Sequence, residues 1–598
     1  MSASCGVSST EAPAAWLNHY AAIWHCDFEF REDANHHPAP VCMYAYEQHT
    51  RAEIELWRDE LRACRRVPFD IGANSLFVAY AANAELSCFL ALGWEFPKNV
   101  LDVYVETIAA INGNSAIWPQ KKRPSLLETL ELYGLAAGMD TQEKERMRRL
   151  ILEHSDYTHE QQREIQNYNR QDVMETVKLL KVLAPAIDLP RALLRGRYMA
   201  AVARMEWRGL PIDQEYLRLL LANWEGLQLH YIRRDDGFGL YDGTSFSEHR
   251  FQELIAAHGW YWPLTATGRP ELKLKTLGKQ AQRYPELKKL VKLRDLIAEL
   301  RINQLANTIG ADGYSRCPLL PFWTKTGRNQ PSGRDKMFLP ALPAWLHGLI
   351  ASPPGWAIAE LDWDGQEVGL MAAKDYTSGD PHLSFGRRVK LLPPDATKDT
   401  HREERNKICK PVVLGQNYGM TPYGIAAKTG KSLLWAREIH ALHRLTYSVF
   451  HRWLADMIAQ AKFEGMISSP FGWPQAVTAD TTNRSLMSFP AQAGGADMMR
   501  LAAIAATEAG IAVCCPVHDA FWVMAPASEI EDVIATMKRI MTRASELVTG
   551  GLPIGVTVEA LVPAPHRLGD VRKPKDKGHA MWSEVKGLMT DGLLATGS

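Results

Sequence analysis

The stretch "CPVHDAFWV", Cys515–Val523, constrains the fold more than any other nine residues of the chain. Two apolar, strand-forming runs flank a His–Asp pair, and a buried strand interior does not accept unpaired ionisable side chains. The pair belongs at a hairpin tip, with an apolar strand on each side. A turn alone accounts for it unless a carboxylate elsewhere needs Asp519. "GWAIAELDWDGQEVGLMAA" supplies one, an apolar strand that runs into Asp362. Two strand-end aspartates from separate segments can bind two divalent ions about 3.5–4 Å apart, an arrangement suited to phosphoryl transfer.

At 598 residues the chain exceeds one hydrophobic core, so about three or four domains are expected. Its nine cysteines show no metal-ligand spacing, which points to free thiols in a reducing compartment. The start, "MSASCGVSSTEAPAAW", lacks the basic and apolar blocks of a signal peptide. No apolar stretch is long enough to span a bilayer. The expected location is the cytoplasm, or a host's cytoplasm.

The 68 basic and 68 acidic residues cancel, which excludes a histone-like coat protein. Basic clusters occur at Lys273–Arg301, Thr324–Lys336 and His401–Lys410. Each alone reads as a solvated helix face; three in one half of the chain suggest an anionic polymer partner.

Residues 20 to about 110 alternate short strands and helices, an α/β pattern. From about Ser125 to Leu183 the sequence reads as helical, and the connector "APAIDLP" marks a boundary near residue 190. Residues 196–310 read as long amphipathic helices. The remainder mixes strands and helices, and the tail after about Lys586 is expected to fray.

In "HCDFEF", Asp27 and Glu29 stand two apart on a strand and share a face, a pair that can hold a hard cation through oxygen ligands. Tyr168 and Asp172 stand one helical turn apart. There a phenol can orient a water while the carboxylate binds a metal. D-x-E followed by Y-x-x-x-D on a later helix resembles the DEDD-type 3′–5′ exonuclease domain, with its ribonuclease-H-like fold, over roughly residues 20–190. That family has a further Asp four residues after an Asn. Here Ser87 follows Asn83 at that spacing, which leaves Glu85 and Asp102 as candidates for the fourth carboxylate. Glu85 is taken as the ligand, with Asn83 as the cap of a helix that starts after "AAN".

Between the two strand-end aspartates, "RNKICKPVVLGQNYGMTPYG" reads as a helix with Lys410, Leu414 and Tyr418 on one face. A cation there can meet a triphosphate and a ring can stack on a base. The bland alternative is a core helix with one snorkelling lysine.

Together these residues resemble family A DNA polymerases of the DNA polymerase I type, in a compact phage-like form, over about residues 196–570. The resemblance implies a role for each. Asp362 of "DWDGQE" and Asp519 of "VHD", with His518 beside it, match the palm metal-site motifs, and Glu367 matches the carboxylate that excludes a ribose 2′-hydroxyl. Lys410, Leu414 and Tyr418 match the nucleotide-binding fingers helix. Arg405 stands next to the position of the family's fingers arginine, where this chain has Asn406, and is expected with Lys410 on the triphosphate. Arg328 of "TGR", Arg484 and Gln492 match primer-template contacts.

The implied architecture is α/β and multidomain, a ribonuclease-H-like exonuclease plus a right hand of palm, fingers and thumb. Its bounds are 1–190 exonuclease, 196–315 palm start and helical thumb, 316–373 palm, 374–490 fingers, and 491–598 palm and tail. Two Mg2+ ions per active site, or Mn2+, primer-template DNA and deoxynucleoside triphosphates are the implied cofactor and partners, with no membrane. The basic helices of residues 270–301 would grip duplex phosphates, so affinity should fall steeply with salt. The 5′ nuclease domain of some relatives is expected to be absent. Alternatives are a nuclease whose second half merely holds DNA, a non-enzymatic replication scaffold, and a single-subunit RNA polymerase, against which Glu367 speaks.

Overall fold

The structure is a computed structural model and describes residues 15–119, 122–300, 305–333, 337–372, 380–576 and 578–590, except the side chains at 368, 371 and 372. Arg301, Arg334 and Lys336 of the basic clusters, and the tail past residue 590, lie outside the described residues. The chain divides into two compact units. The first comprises Met1–Arg208, Pro318–Pro331 and Ala359–Glu559; the second comprises Gly209–Cys317, Ser332–Ile358 and Ala560–Ser598.

The first unit begins with five strands: β1 (Ala22–Glu32), β2 (Pro38–Glu47), β3 (Glu53–Trp57), β4 (Ser75–Ala79) and β5 (Val100–Asp102). They form one sheet in the order β3-β2-β1-β4-β5. The first three pair antiparallel, whereas β4 lies parallel to β1 and β5 parallel to β4. The β4 sequence "SLFVA" is buried throughout, as a parallel strand covered on both faces requires. Helices α1 (Ala82–Leu92) and α2 (Val103–Ile111) follow β4 and β5. Then come α3 (Thr141–Glu153) and the 25-residue α4 (His159–Leu183), which opens on a Thr158–Gln161 capping box. Leu179, Leu180 and Leu183 of α4 pack with Ile23, Leu76, Val78 and Leu101 of the sheet.

The connector "APAIDLP" is a single tight turn, Ala184–Ala186, after which α5 (Leu189–Arg208) starts at once. Contact with the sheet continues across it. Gly196 of α5 lies so close to β5 that a Cβ would come within 1.8 Å of the Val100 carbonyl oxygen. Arg195 beside it forms a buried bidentate pair with Glu106 of α2, at 2.7 and 2.6 Å.

A second sheet holds β6 (Trp356–Trp363), β7 (Ala512–Val517), β8 (Ala520–Pro526) and β9 (Val556–Pro563) in the order β7-β8-β6-β9. Two helices of this region carry candidate site residues, α6 (Lys410–Asn417) and the 26-residue α7 (Asn483–Glu508). The border expected at 490–491 falls inside α7, which runs through Pro490. A proline in a helix interior loses one backbone hydrogen bond, and burial of α7 on all sides from Ala493 to Arg500 compensates.

In the second unit the helices expected to be long are short: Gln214–Ala222, Trp224–Asp235, Glu248–Ala257, Leu274–Arg283 and Lys288–Glu299. Gly259, at φ +61°, and Pro285 each stand just past one of them and end it. The tail is helical from His579 to Thr590, past the point where fraying was expected, because Trp582, Val585 and Leu588 are buried. No helix among the described residues is long and apolar enough to cross a membrane. The eight cysteines among the described residues are all free.

Candidate active sites

Strand alternation gives Asp27 and Glu29 of β1 a common face, opposite Tyr44 and Cys42 of β2. α4 carries Tyr168 and Asp172 one turn apart to the same place. Ligand oxygens of Asp27, Glu29 and Asp172 lie within 4.8 Å of one another. Burial first, and Asp172 second, push the Asp27 carboxyl up to about 8. Burial and the same neighbours raise Glu29 well above the ordinary carboxylate range. Burial raises Asp172 too, and the Tyr168 phenol beside it is also raised. Three carboxyls this close ionise together only against positive charge.

Among the described residues, two such charges face the cluster, Lys144 and, toward Glu29, Arg148. Lys144 of α3 places Nζ 2.6 Å from Asp172 Oδ1 and 3.7 Å from Glu175 Oε2. The buried Asn169 donates its side-chain amide to Asp27 Oδ2 at 2.6 Å. Neither residue was singled out from the sequence. Asn169 carries a readable signal, because it stands three residues before Asp172 on a helix face already assigned, whereas Lys144 is one cation among several in "TQEKERMRRL". A cleft of about 970 Å³ opens beside Glu29, lined by Lys144, Arg148 and Tyr168 among others.

Glu85 is buried at the start of α1, and its Oε2 accepts a hydrogen bond from the Phe28 amide at 2.8 Å. Burial and then Asp27 raise its carboxyl. Asp102 is used differently. Its Oδ2 accepts from Ala82 N at 2.7 Å, and its Oδ1 from Ala81 N at 3.2 Å and Val105 N at 3.1 Å. One carboxylate thus caps both α1 and α2. The cap of α1 is Ala81, at φ +70°, in place of the expected Asn83. A carboxylate from the neighbouring strand already takes the first amides, so no local side chain is needed there. Asn83 instead donates to Glu206 at 3.1 Å.

In the second sheet, Val517 pairs with Ala520, so His518 and Asp519 form a two-residue tip between β7 and β8. His518 is left-handed there, at φ +51°. The Asp519 carbonyl accepts from Trp363 N at 3.2 Å, which ties the tip to the strand that carries Asp362. Burial, then Asp519 and further carboxylates, push Asp362 up to about 8. Burial raises Asp519 as well. The Asp362 Oδ1 atom is buried without a hydrogen-bond partner. Asp364 turns toward β9, accepting from Thr557 Oγ1 at 2.7 Å.

Glu367 lies 3.1 Å from Arg328 Nη2, and Arg328 Nε donates to the Gln492 carbonyl at 3.2 Å. The Glu367 carboxylate is also close enough to Tyr418 to help raise its phenol, which burial raises first. The structure therefore gathers Asp362, Asp519, Glu367, Arg328, Tyr418 and the backbone of Gln492. Lys410 and Arg484 are exposed on their helices, and Leu414 is half-buried. Arg405, expected at a triphosphate, is engaged elsewhere: its Nε lies 2.5 Å from Asp380 Oδ2 and its Nη1 donates to Asn406 Oδ1 at 2.8 Å. A wide π-turn, Arg405–Cys409, precedes α6 and, with Lys410 N bonded to the Arg405 carbonyl, brings Arg405 round toward the Lys410 face, so it is the pair with Asp380 that engages its guanidinium.

The segment that holds these residues is similar to known proteins. The family model for DNA polymerase family A matches residues 348–561. The DNA polymerase of Mycobacterium phage D29 is 24% identical over 404 residues, 62% of this chain and 64% of that protein. That of Mycobacterium phage L5 is 23% identical, over 62% of this chain and 63% of that protein. DNA polymerase I of Chloroflexus aurantiacus is 21% identical, over 63% of this chain and 44% of that protein. The chain thus spans a little under two thirds of the length of the phage relatives it matches. Among solved structures, the POL domain of Pol1 from M. smegmatis, in complex with DNA primer-template and dNTP, shares the fold. Its TM-score is 0.68 at 18% identity, covering 91% of this chain and 96% of that one. The chain therefore carries a DNA polymerase family A domain, at residues 348–561.

Proposed function

We propose that the chain is a template-directed DNA polymerase that adds deoxynucleoside triphosphates to a primer 3′ end, phage-encoded and at work in a host cytoplasm. Residues 1–190 are read as a proofreading 3′–5′ exonuclease of the ribonuclease-H-like, DEDD type. The observation that carries the polymerase reading is the buried, unpartnered Asp362 Oδ1 beside Asp519, inside the segment that matches the family. The phage relatives support the replicative role. The exonuclease reading is supported by the Asp27, Glu29 and Asp172 cluster with Tyr168 against it.

Both carboxylate groups fit a hard divalent cation such as Mg2+, since each presents crowded oxygens that ionise together only against positive charge. Asp362 and Asp519 would hold it in the polymerase, and Asp27, Glu29 and Asp172 in the exonuclease. When bound, such ions stabilise the charge on the oxygens of a phosphoryl group under displacement. The protein's own groups do the rest. Lys410 offers the triphosphate a point charge and Tyr418 a stacking face. Glu367, held by Arg328, fills the space of a 2′-hydroxyl and leaves a ribonucleotide without a partner there. Arg328, Arg484 and Gln492 contact primer and template. In the exonuclease, Tyr168 orients the attacking water, and Lys144 offsets charge at Asp172.

Primer extension with deoxy- and ribonucleotides separately, with and without Mg2+, run beside single-strand degradation, tests this. Asp362→Asn or Asp519→Asn should abolish extension and spare degradation, and Asp27→Ala should do the reverse. Any of these three carboxylate variants that folds and yet loses both activities refutes the two-site assignment. A wild type that binds primer-template yet never extends it favours a nuclease with a DNA-holding half.

A further inference from the structure

Four consecutive carbonyls just ahead of Arg328 are held by two side chains from the N-terminal α/β region. Arg123, in the loop between α2 and the Leu126–Leu132 helix, donates from Nε to the Trp323 oxygen at 3.0 Å. Its Nη2 reaches the oxygens of Phe322, Trp323 and Thr324 at 2.9, 2.6 and 3.2 Å. Asn112, buried at the end of α2, donates from Nδ2 to the Lys325 oxygen and to the Pro474 oxygen, both at 2.7 Å. The Asn112 carbonyl in turn accepts from Ala476 N at 2.8 Å. At Gly113, φ +78°, a Cβ would sit 2.9 Å from the Ala476 oxygen, so the loop touches the 474–476 strand directly.

The captured segment leads straight into a closed turn. Gly327 N donates to the Thr324 oxygen at 2.9 Å, and Arg328 N to Thr324 Oγ1 at 2.9 Å. The Gly327 oxygen accepts from Arg500 Nη1 at 2.7 Å. The next side chain, Arg328, pairs with Glu367. A guanidinium bonded to three successive carbonyls, with no carboxylate partner among the described residues, fixes backbone position more than it offsets charge. Burial lowers its pKa to about 10, so it remains protonated at neutral pH.

We propose that Asn112 and Arg123 are positioning residues for nucleotide selection. They set the height of the 322–328 segment, and through Arg328 the place of the Glu367 carboxylate. The sugar gate is thereby built partly from residues of the N-terminal region. This rests on the reading of the second site as a polymerase.

The test is single-nucleotide incorporation by the full-length chain, comparing a deoxynucleotide with its ribonucleotide. Arg123→Met should lower kcat/KM for the deoxynucleotide about tenfold or more, since small displacements of a positioned group have large effects. It should lower the deoxy-to-ribo ratio with it, and Arg123→Lys, which keeps a donor cation, should restore part of both. Asn112→Ala should lower the ratio in the same direction. A general loss of stability would slow both sugars alike and leave the ratio in place. If Arg123→Met does not fold, Asn112→Ala and Arg123→Lys carry the comparison. An unchanged ratio in folded variants of an active wild type overturns the linkage alone. A wild type that incorporates neither sugar overturns the polymerase reading beneath it.

Discussion

Asp362 keeps its proton to about pH 8 in the folded chain, whereas an unfolded chain releases it near 4. Between those values the native state binds the extra proton, so stability falls as pH rises and levels off above about 8. Asp362→Asn removes this ionisation. In chelator its melting temperature should exceed that of wild type by a gap that widens from pH 5 to pH 8, to about 1–3 °C. Added Mg2+ should reverse the order at pH 8, because both proteins gain from an ion at the first site but only the wild type gains from one at Asp362 and Asp519. Thermal scans at both pH values decide it, and an equal gap at pH 5 and 8 rules it out. Glu85 allows a different separation. Glu85→Gln keeps an acceptor for Phe28 N, so it should fold normally and slow exonuclease about tenfold. Glu85→Ala leaves that amide unpaired and should also destabilise by about 1–3 kcal/mol, read by denaturant unfolding. Asp27, Glu29, Tyr168 and Asp172 were legible because each pair obeys a single period, two on a strand or four on a helix. Asp102 was not, since it acts on amides 20 residues upstream that only the β4–β5 pairing brings near.

The element that most shapes the second site is α6 with the π-turn before it. One extra residue in that turn brings Arg405 and Lys410, five apart in the sequence, toward one face, and what divides their tasks is the Asp380 carboxylate that holds Arg405. Arg405 is turned to Asp380, which also caps the Pro381–Arg388 helix, and Lys410 is left exposed. Lys410→Met should therefore lower kcat/KM for the incoming nucleotide about a hundredfold. Arg405→Met should mainly lower the melting temperature, with KM for nucleotide moved less than about threefold. An Arg405→Met enzyme as impaired in KM as Lys410→Met would return Arg405 to the triphosphate. The Lys410–Tyr418 spacing was readable because it is helical; the π-turn was not, because no residue type marks it. The α7 helix was only partly legible for a related reason. Buried all round in its middle, it has no polar face whose rhythm would show one continuous element.

At the scale of the molecule, residues 1–208 share one compact unit with residues 359–559, which carry Asp362 and Asp519. The sequence shows where α5 begins, but not that it lies against β5, because a lone glycine in a helix has no signature of its own. Gly196 is the most exacting point of that contact. Gly196→Ala would drive a methyl group into the Val100 carbonyl and must shift backbone, at about 1–3 kcal/mol or more. Extension and degradation should then fall together with the melting temperature, although the substitution touches neither set of carboxylates. Independent domains would instead lose at most one activity.

The crowded carboxyls of the first site have a consequence for how its chemistry begins. With Asp27 near 8 and Glu29 and Glu85 also raised, the pocket at neutral pH is a small store of hydrogen ions. Loading it with a divalent ion is an exchange, metal inward and protons outward. The heat of that exchange depends on which buffer receives the protons. An affinity read at pH 6 and one read at pH 9 start from differently filled pockets, so acidification alone should switch off the editing reaction proposed for this site.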